Sequence, residues 1–454
     1  MKHVDAAVIG FGTAGKALAL ALANSGEQVC VIEQSEQMYG GTCPNVACIP
    51  TKDLVHAAEM SAAFGGSDEE RQERYEAAID EKDRLVRSLR VNNYHSLANH
   101  PRISVVDGTA SFVAPHTLRI ESRTEPEELE AEEVFICTGS RPIVPAIPGA
   151  EGPRVYTSET MMDVRVLPQR LVIIGAGYIG MEFASMYANF GSQVTVVQDG
   201  TEFLPRENRD IAQAVKKSLE DRGILLELGA NVTAIENDVE QALVVLERGG
   251  ETLRVPADAV LMAVGRRPNL EGLNVEASGV DLTDHGGVIT DDHLRSTVPN
   301  VWALGDVRGK HQFTYIAYDD YRIVASDLLG DGTRTTSSRG AIPYAVFTTP
   351  PFARVGMTED EARDAGFNVK TALLPVDHII RARILDEPTG VLKAVVDANS
   401  SQILGMHLFC INAPEMANLA KIAMDARLPY TTLRDAIYTH PTMAESLNNL
   451  FAEI

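Results

Sequence analysis

Two cysteines, Cys43 and Cys48, lie in the segment Gly40-Gly41-Thr42-Cys43-Pro44-Asn45-Val46-Ala47-Cys48-Ile49-Pro50-Thr51-Lys52, with four residues between them. The spacing predicts one short helical turn that brings both sulfurs to the same face, where they could close into a small, reducible ring. A static disulfide or two buried thiols is the plainer alternative, but static bridges belong to oxidising compartments and small scaffolds. The segment follows a nucleotide-binding signature by only a few residues. That order sets a redox-active pair beside a cofactor able to deliver electrons to it.

The elements that must position this pair repeat one plan. Residues 6–33 read as strand, a glycine turn with Gly10, Gly12 and Gly15, an Ala/Leu-rich helix, and a strand ending at Glu33. Residues 171–198 read as strand, a glycine turn with Gly175, Gly177 and Gly180, helix, and a strand ending at Gln198. In both, 23 positions separate the first glycine from the strand end. A single GxGxxG could be a turn that merely permits helix–strand packing. Two copies in βαβ context at matched spacing point to two dinucleotide sites, with glycines for the tight turn and a helix N-terminus facing the pyrophosphate.

The stretch 138–149 reads as the exit from the first domain, and 265–269 as the exit from the second. The apolar run Val301-Trp302-Ala303-Leu304-Gly305-Asp306 reads as a strand that returns to the first domain. A turn-rich stretch at 330–340 precedes a final part of mixed strands and helices. The expected division is 1–149 with 273–338, then 150–272, then 339–454. The fold class is α/β, with two Rossmann-like dinucleotide-binding domains and a further α+β domain. Residues 67–97 are highly charged with apolar positions at helical spacing, which predicts a long exposed helix.

Composition bounds the function. A chain of 454 residues suggests about three domains, and 45% hydrophobic with 23% charged residues suits a globular protein. A net charge of −23 argues against nucleic acid and anionic membranes as partners. No apolar run approaches the ~18 residues of a membrane span, and the N-terminus lacks a signal-peptide layout, so a cytoplasmic location is expected. Cys30, Cys137 and Cys410 sit in apolar strand-like runs and read as inert buried thiols. No resident metal is expected.

The Cys43–Cys48 segment behind a dinucleotide signature resembles the redox motif of the flavin-dependent disulfide reductases. This is the class I pyridine nucleotide-disulfide oxidoreductase family, which includes dihydrolipoamide dehydrogenase, glutathione reductase and mercuric reductase. The resemblance covers the whole chain. It implies FAD in the first site, with Glu33 on the adenosine ribose and Gly10, Gly12, Gly15, Gly41, Thr42, Lys52, Ala110, Thr138, Gly139, Asp306 and Thr314 around the cofactor. It implies a nicotinamide coenzyme in the second, held by Gly175, Gly177, Ile179, Gly180, Glu182, Gln198 and Gly265, with Tyr178 covering the nicotinamide pocket until the coenzyme enters. Gln198 stands where NAD-preferring relatives carry a glutamate. Asp199 and Pro205 occupy the positions of the arginines that clamp the phosphate of NADPH. An acid there repels that phosphate, so NADH is expected over NADPH, and Arg206 is the residue that could reverse this.

Lys52 and Glu182 are implied to pair beside the flavin, where a lysine favours negative charge on the reduced ring; an ordinary interdomain salt bridge is the alternative. His440 and Glu445 match the His-Pro-Thr-x-x-Glu motif, which in the family reaches across a homodimer interface to the partner's disulfide. Imidazole suits a proton transfer near neutral pH, and Glu445 would orient the ring. The implied cycle passes electrons from NADH through FAD to the disulfide, with Cys48 nearer the flavin and Cys43 attacking an oxidised small-molecule substrate. Segments 34–43, 313–322 and 347–351 most resemble the bacterial reactive-chlorine-species resistance reductases of the RclA type, which implies oxidants, oxidised sulfur or metal species as substrates in stress defence. Ala47 departs from the glycine usual in the motif. Mercuric reductase is disfavoured because the last 44 residues lack the cysteine pair it needs. Dihydrolipoamide dehydrogenase is the enzyme alternative, and a flavin-bearing redox sensor without turnover the alternative of another class.

Overall fold

Apolar runs and glycine turns set the first layer of a computed structural model that describes residues 2–122, 126–238 and 240–454. It begins β1 (Lys2–Ile9), α1 (Thr13–Ser25) and β2 (Val29–Glu33). Gly10 has φ +108°, and a methyl built on it would come 2.4 Å from the Cys137 carbonyl oxygen, so only glycine makes this turn. Three helices follow, α2 (Thr42–Val46), α3 (Cys48–Phe64) and α4 (Asp68–Ala98). The last opens on a capping box between Ser67 and Glu70, which starts it cleanly despite its polar sequence. Strands β3 (Ile103–Ala114), β4 (Thr117–Ser122) and β5 (Glu127–Ile136) complete this first pass.

The parallel part of the sheet runs β3–β2–β1–β5, with β4 antiparallel between β3 and β5. The second unit holds β6 (Arg170–Ile174), α5 (Tyr178–Phe190) and β7 (Gln193–Gln198) in a five-stranded parallel sheet. A separate antiparallel sheet of 231–237, 242–248 and 251–257 adjoins it. The chain then returns: β8 (Val301–Ala303) pairs in parallel with β5, and α6 (Thr314–Leu329) packs beside α1. The final antiparallel sheet orders Tyr344–Val346, Phe352–Gly356, Ile403–Phe409, Val391–Asp397 and Val369–Pro375. Its two central strands are buried at every position.

The cysteine segment differs from the single turn its spacing predicts. Cys43 lies in α2, Cys48 opens α3, and Ala47 stands outside both with φ −143° and ψ −105°. Pro50 supplies the reason. In one continuous helix its ring would meet the Val46 carbonyl, and it has no N–H to offer; at the third position of a new helix neither problem arises. Helix α3 is seated between the units. Leu54, Val55 and Ala58 join Tyr75 of α4, Phe183 and Tyr187 of α5, and Phe352 and Phe409 of the last sheet in one apolar core. Among the described residues no helix is long and apolar enough to cross a membrane. Cys30, Cys137 and Cys410 are buried, and burial pushes all three thiols up.

Candidate redox-active site

Cys43 and Cys48 are half-buried free thiols brought together by the α2–α3 break. The Cys43 thiol hydrogen-bonds to Cys48, which lowers Cys48 to about 6; burial opposes this, while Thr314 and Lys52 add to the lowering. Sharing the proton, with burial second, raises Cys43. The Thr314 hydroxyl lies 3.5 Å from the Cys48 sulfur. Because Thr314 is the first residue of α6, the positive end of a helix faces the thiolate as well. Cys48 is therefore the sulfur that carries the charge, and Cys43 the one that carries the proton. Lys16 of α1 also acts on the pair: its charge is weakened by burial and supported by Cys43.

The first glycine turn forms a closed cradle. The Phe11 amide donates to Glu33 Oε2 at 3.0 Å and the Ser35 amide to its other oxygen at 3.2 Å, fixing the acid at the end of β2. Burial raises the Glu33 carboxyl and these donors oppose it. The redox segment closes over the turn: a methyl on Gly41 would come 2.5 Å from the Gly12 Cα. Gly15 packs so tightly that a methyl there would meet the Gly10 carbonyl oxygen at 2.4 Å. Thr42 opens α2, and Ala110 is buried in β3 beside this sheet's core. Thr138 and Gly139 follow β5, and Ser140 donates to Asp306 Oδ2 at 2.7 Å while receiving Arg266 Nε at 2.9 Å. Burial raises Asp306.

A flavin dinucleotide fits this chemistry. The N-terminus of α1 has no side-chain cap, so its amide N–H groups can take a pyrophosphate. Thr138 Oγ1 is buried with no hydrogen-bond partner among the described residues, as expected of a group that meets a cofactor.

The second turn has the same plan with an open face. The Ala176 amide donates to Gln198 Oε1 at 2.9 Å, and Gln198 Nε2 donates to Asp199 Oδ1 at 2.9 Å. A methyl on Gly175 would meet the Ala263 carbonyl oxygen at 2.4 Å, and one on Gly180 the Gly175 carbonyl oxygen at 2.0 Å. Gly177 meets nothing within 4 Å, and the α5 N-terminus it precedes is also uncapped. Ile179 lies in the first turn of α5, and Gly265 sits across the turn with φ +121°. Asp199 is exposed and also accepts from the Gly200 amide, while Arg206 is exposed and its main-chain oxygen accepts from Arg354. Tyr178 donates to Glu207 Oε1 at 2.6 Å, a contact that sequence reasoning missed.

Lys52 of α3 and Glu182 of α5 are 130 positions apart and meet at 2.7 Å. The other Glu182 oxygen accepts the Phe347 amide at 2.9 Å, and the Lys52 ammonium lies 4.9 Å from the Phe347 ring centroid. One ion pair thus joins the redox helix, the second nucleotide unit and the last sheet. His440 Nδ1 and Glu445 Oε2 are 2.8 Å apart, with the imidazole 71% exposed. Among the described residues His440 bonds to Glu445 and to neither cysteine of its own chain. Glu207, Tyr344, Ser140 and Arg266 carry no spacing signal, because each acts through residues that are distant in sequence.

A family model described as pyridine nucleotide-disulphide oxidoreductase matches residues 4–320, and one described as that family's dimerisation domain matches 342–451. The chain is 46% identical over 453 residues to the probable pyridine nucleotide-disulfide oxidoreductase RclA of Escherichia coli (strain K12), covering 100% of this chain and 99% of that protein. It is 32% identical over 449 residues to mercuric reductase of Staphylococcus aureus, covering 98% of this chain and 81% of the other. The solved Cu(II) complex of the HOCl-induced flavoprotein disulfide reductase RclA from Escherichia coli matches with a TM-score of 0.94 at 46% identity, covering 100% of both chains.

Proposed function

We propose a substrate class and a division of labour for this chain, which belongs to the pyridine nucleotide-disulphide oxidoreductase family and is an FAD- and NAD(P)H-dependent oxidoreductase with a redox-active cysteine pair. The enzyme reduces small, electrophilic oxidised molecules in defence against reactive chlorine and related oxidants, and NADH is its coenzyme. The observation that carries this is the cysteine pair with its charge held on Cys48. The description of the similar E. coli protein as HOCl-induced and solved with Cu(II) supports oxidants, oxidised sulfur and metal ions as the substrate class. Asp199 beside Gln198, where a 2′-phosphate would have to sit, supports NADH.

The first glycine turn, Glu33, Thr138 and Asp306 would hold FAD, which would supply hydride-accepting chemistry between the coenzyme and the Cys43–Cys48 disulfide. The residues do the rest. Thr314, the α6 N-terminus and Lys52 stabilise the Cys48 thiolate, and Glu182 keeps Lys52 in place. Cys43 gives its proton to His440 of the partner subunit and bonds to the electrophilic atom of the substrate, whose bond to its leaving group breaks; that leaving group takes the proton back from the imidazole. Cys48 then attacks Cys43, the disulfide re-forms, and the atom that Cys43 held departs with the electron pair of the broken bond, protonated from water where it is basic. Glu445 orients that ring. The support for a shared site is the exposed imidazole, the dimerisation-domain match and the exposed apolar side chains of Ile422, Ile437 and Leu419.

We take 1–149 with 273–338 as the flavin unit, 150–272 as the coenzyme unit and 339–454 as the interface unit, working in the cytoplasm. Steady-state NADH oxidation by the purified holoenzyme tests the reading, with hypothiocyanous acid, products of hypochlorous acid, lipoamide, glutathione disulfide, Cu(II) and Hg(II) as substrates. Turnover with the oxidants or metal ions that needs both cysteines is expected. Preference for lipoamide would make the chain a dihydrolipoamide dehydrogenase, and a single reduction without turnover would make it a sensor.

A further inference from the structure

We propose that Glu207 is a positioning residue that latches Tyr178 over the nicotinamide half of the coenzyme site, and that Tyr344 eases the opening of that latch. The proposal rests on the reading that Tyr178 covers this pocket. Glu207 lies in the loop before the helix Arg209–Asp221 and is buried, 4% exposed. Two tyrosine hydroxyls from different units donate to its Oε1: Tyr178, the first residue of α5, at 2.6 Å, and Tyr344, the first residue of the strand Tyr344–Val346. The two hydroxyl oxygens are 3.0 Å apart, and the ring centroids 5.2 Å. Burial, with the nearby Glu207 charge second, raises both phenols, so they remain donors throughout the working pH range.

The acid depends on these donors. Among the described residues its Oε2 has no hydrogen-bond partner, and Arg354 is the cation that pairs with it, 3.6 Å away. Arg354 cannot follow it, being held by the carbonyls of Arg206 at 2.7 Å and Gly356 at 3.0 Å and by Glu361. A buried carboxylate that loses a donor is destabilised.

The two tyrosines are not equally free. Tyr344 packs between Phe313, 6.1 Å away and nearly parallel, and Phe352, 6.1 Å away and edge-on. Both rings are half-buried, but Tyr178 stands at a helix start next to the open space around Gly177. Tyr178 is therefore the ring that moves. When it leaves, Glu207 keeps the Tyr344 bond. The two partners then have opposite effects: the Tyr178–Glu207 bond holds the pocket closed, and the Tyr344–Glu207 bond lowers the cost of opening.

Calorimetric titration of the FAD-loaded enzyme with NAD+ and with ADP-ribose, which lacks the nicotinamide, tests this. Tyr178→Phe and Glu207→Gln should each tighten NAD+ by about 3- to 10-fold and leave ADP-ribose within about twofold. The double variant should be no tighter than Tyr178→Phe alone, because Glu207→Gln weakens the bond that Tyr178→Phe has already removed. Tyr344→Phe should weaken NAD+ by about 3-fold or more, the opposite sign. Equal shifts for both ligands, additivity in the double variant, or tighter NAD+ binding in Tyr344→Phe overturns the latch. If Glu207→Gln does not fold, the opposite signs of the two tyrosine variants decide alone. Tyr178→Ala separates the two readings. No change in its NAD+ to ADP-ribose ratio sinks both the pocket reading and the latch. A ratio that moves in Tyr178→Ala but not in Glu207→Gln sinks the latch alone.

Discussion

The two glycine turns share a backbone plan and differ in what stands above them. In each, an amide one residue past the first glycine is bound by the polar residue at the end of the next strand, Phe11 to Glu33 at 3.0 Å and Ala176 to Gln198 at 2.9 Å. In each, the first glycine backs onto a carbonyl so closely that a methyl would lie 2.4 Å from it. Above the first turn the redox segment presses Gly41 against Gly12, whereas nothing lies within reach of a methyl on Gly177. The same motif thus makes a closed seat and an open one, which suits the proposed assignment of a resident group to the first and an exchanging coenzyme to the second. What decides between them lies outside the motif, in the chain that follows the second strand.

The largest test of this contrast is a pair of methyls. Gly41→Ala places a side chain at φ +80° and against Gly12, so the purified protein should be colourless and inactive. Gly177→Ala should keep its fold and its flavin and lose only about tenfold in NADH affinity, since the backbone must approach the coenzyme there. Equal flavin loss in both variants would break the comparison.

His440→Ala sharpens it by separating the two half-reactions. Substrate turnover should fall by about 10²–10⁴-fold, while reduction of the enzyme by NADH stays near normal. Mixing inactive His440→Ala and Cys43→Ser chains after reversible dissociation should restore about a quarter of wild-type activity, since half the dimers are mixed and one of their two sites is whole. No recovery in confirmed heterodimers would return His440 to its own chain.

Coenzyme choice probes the open seat: kcat/KM should favour NADH over NADPH by about tenfold or more, one repelled charge being worth on the order of 1–3 kcal/mol. Better use of NADPH would identify Arg206 as a phosphate ligand. The smallest effect lies in the closed seat. Cys48 is lowered to about 6, so its thiolate is present above that pH and is lost as pH falls through it. Ultraviolet thiolate absorbance of the reduced protein should show this step, and Thr314→Val should move it up by about one unit or less. An unmoved step would remove Thr314 from the thiolate's support.

Much of this was legible in the sequence because its signals are local. The glycine turns, the strand ends at Glu33 and Gln198, and the return through Val301–Ala303 follow from pattern and spacing. The meeting of Lys52 with Glu182 was readable only through family resemblance, since no spacing rule links residues on separate helices. The helical break at Ala47 was missed although Pro50 announces it, because the cysteine spacing alone fits one turn. Glu207 was not legible at all. An acid in a loop is usually solvated, and this one is buried only because a helix start, a strand start and Arg354 converge on it.

The seating of α3 has a consequence for how the molecule comes apart. Its Leu54, Val55 and Ala58 belong to one apolar core with side chains from the second nucleotide unit and from the last sheet. Neither neighbour can lose the redox helix without exposing that shared core to water, which ties their stabilities together. The sheets are architecturally distinct, but cooperativity does not follow their outlines. Heating should melt the second and third units in a single calorimetric step, and residues 150–272 expressed alone should be sticky and poorly folded. The helix that opens on Cys48 is thus also the one that couples the unfolding of these two units.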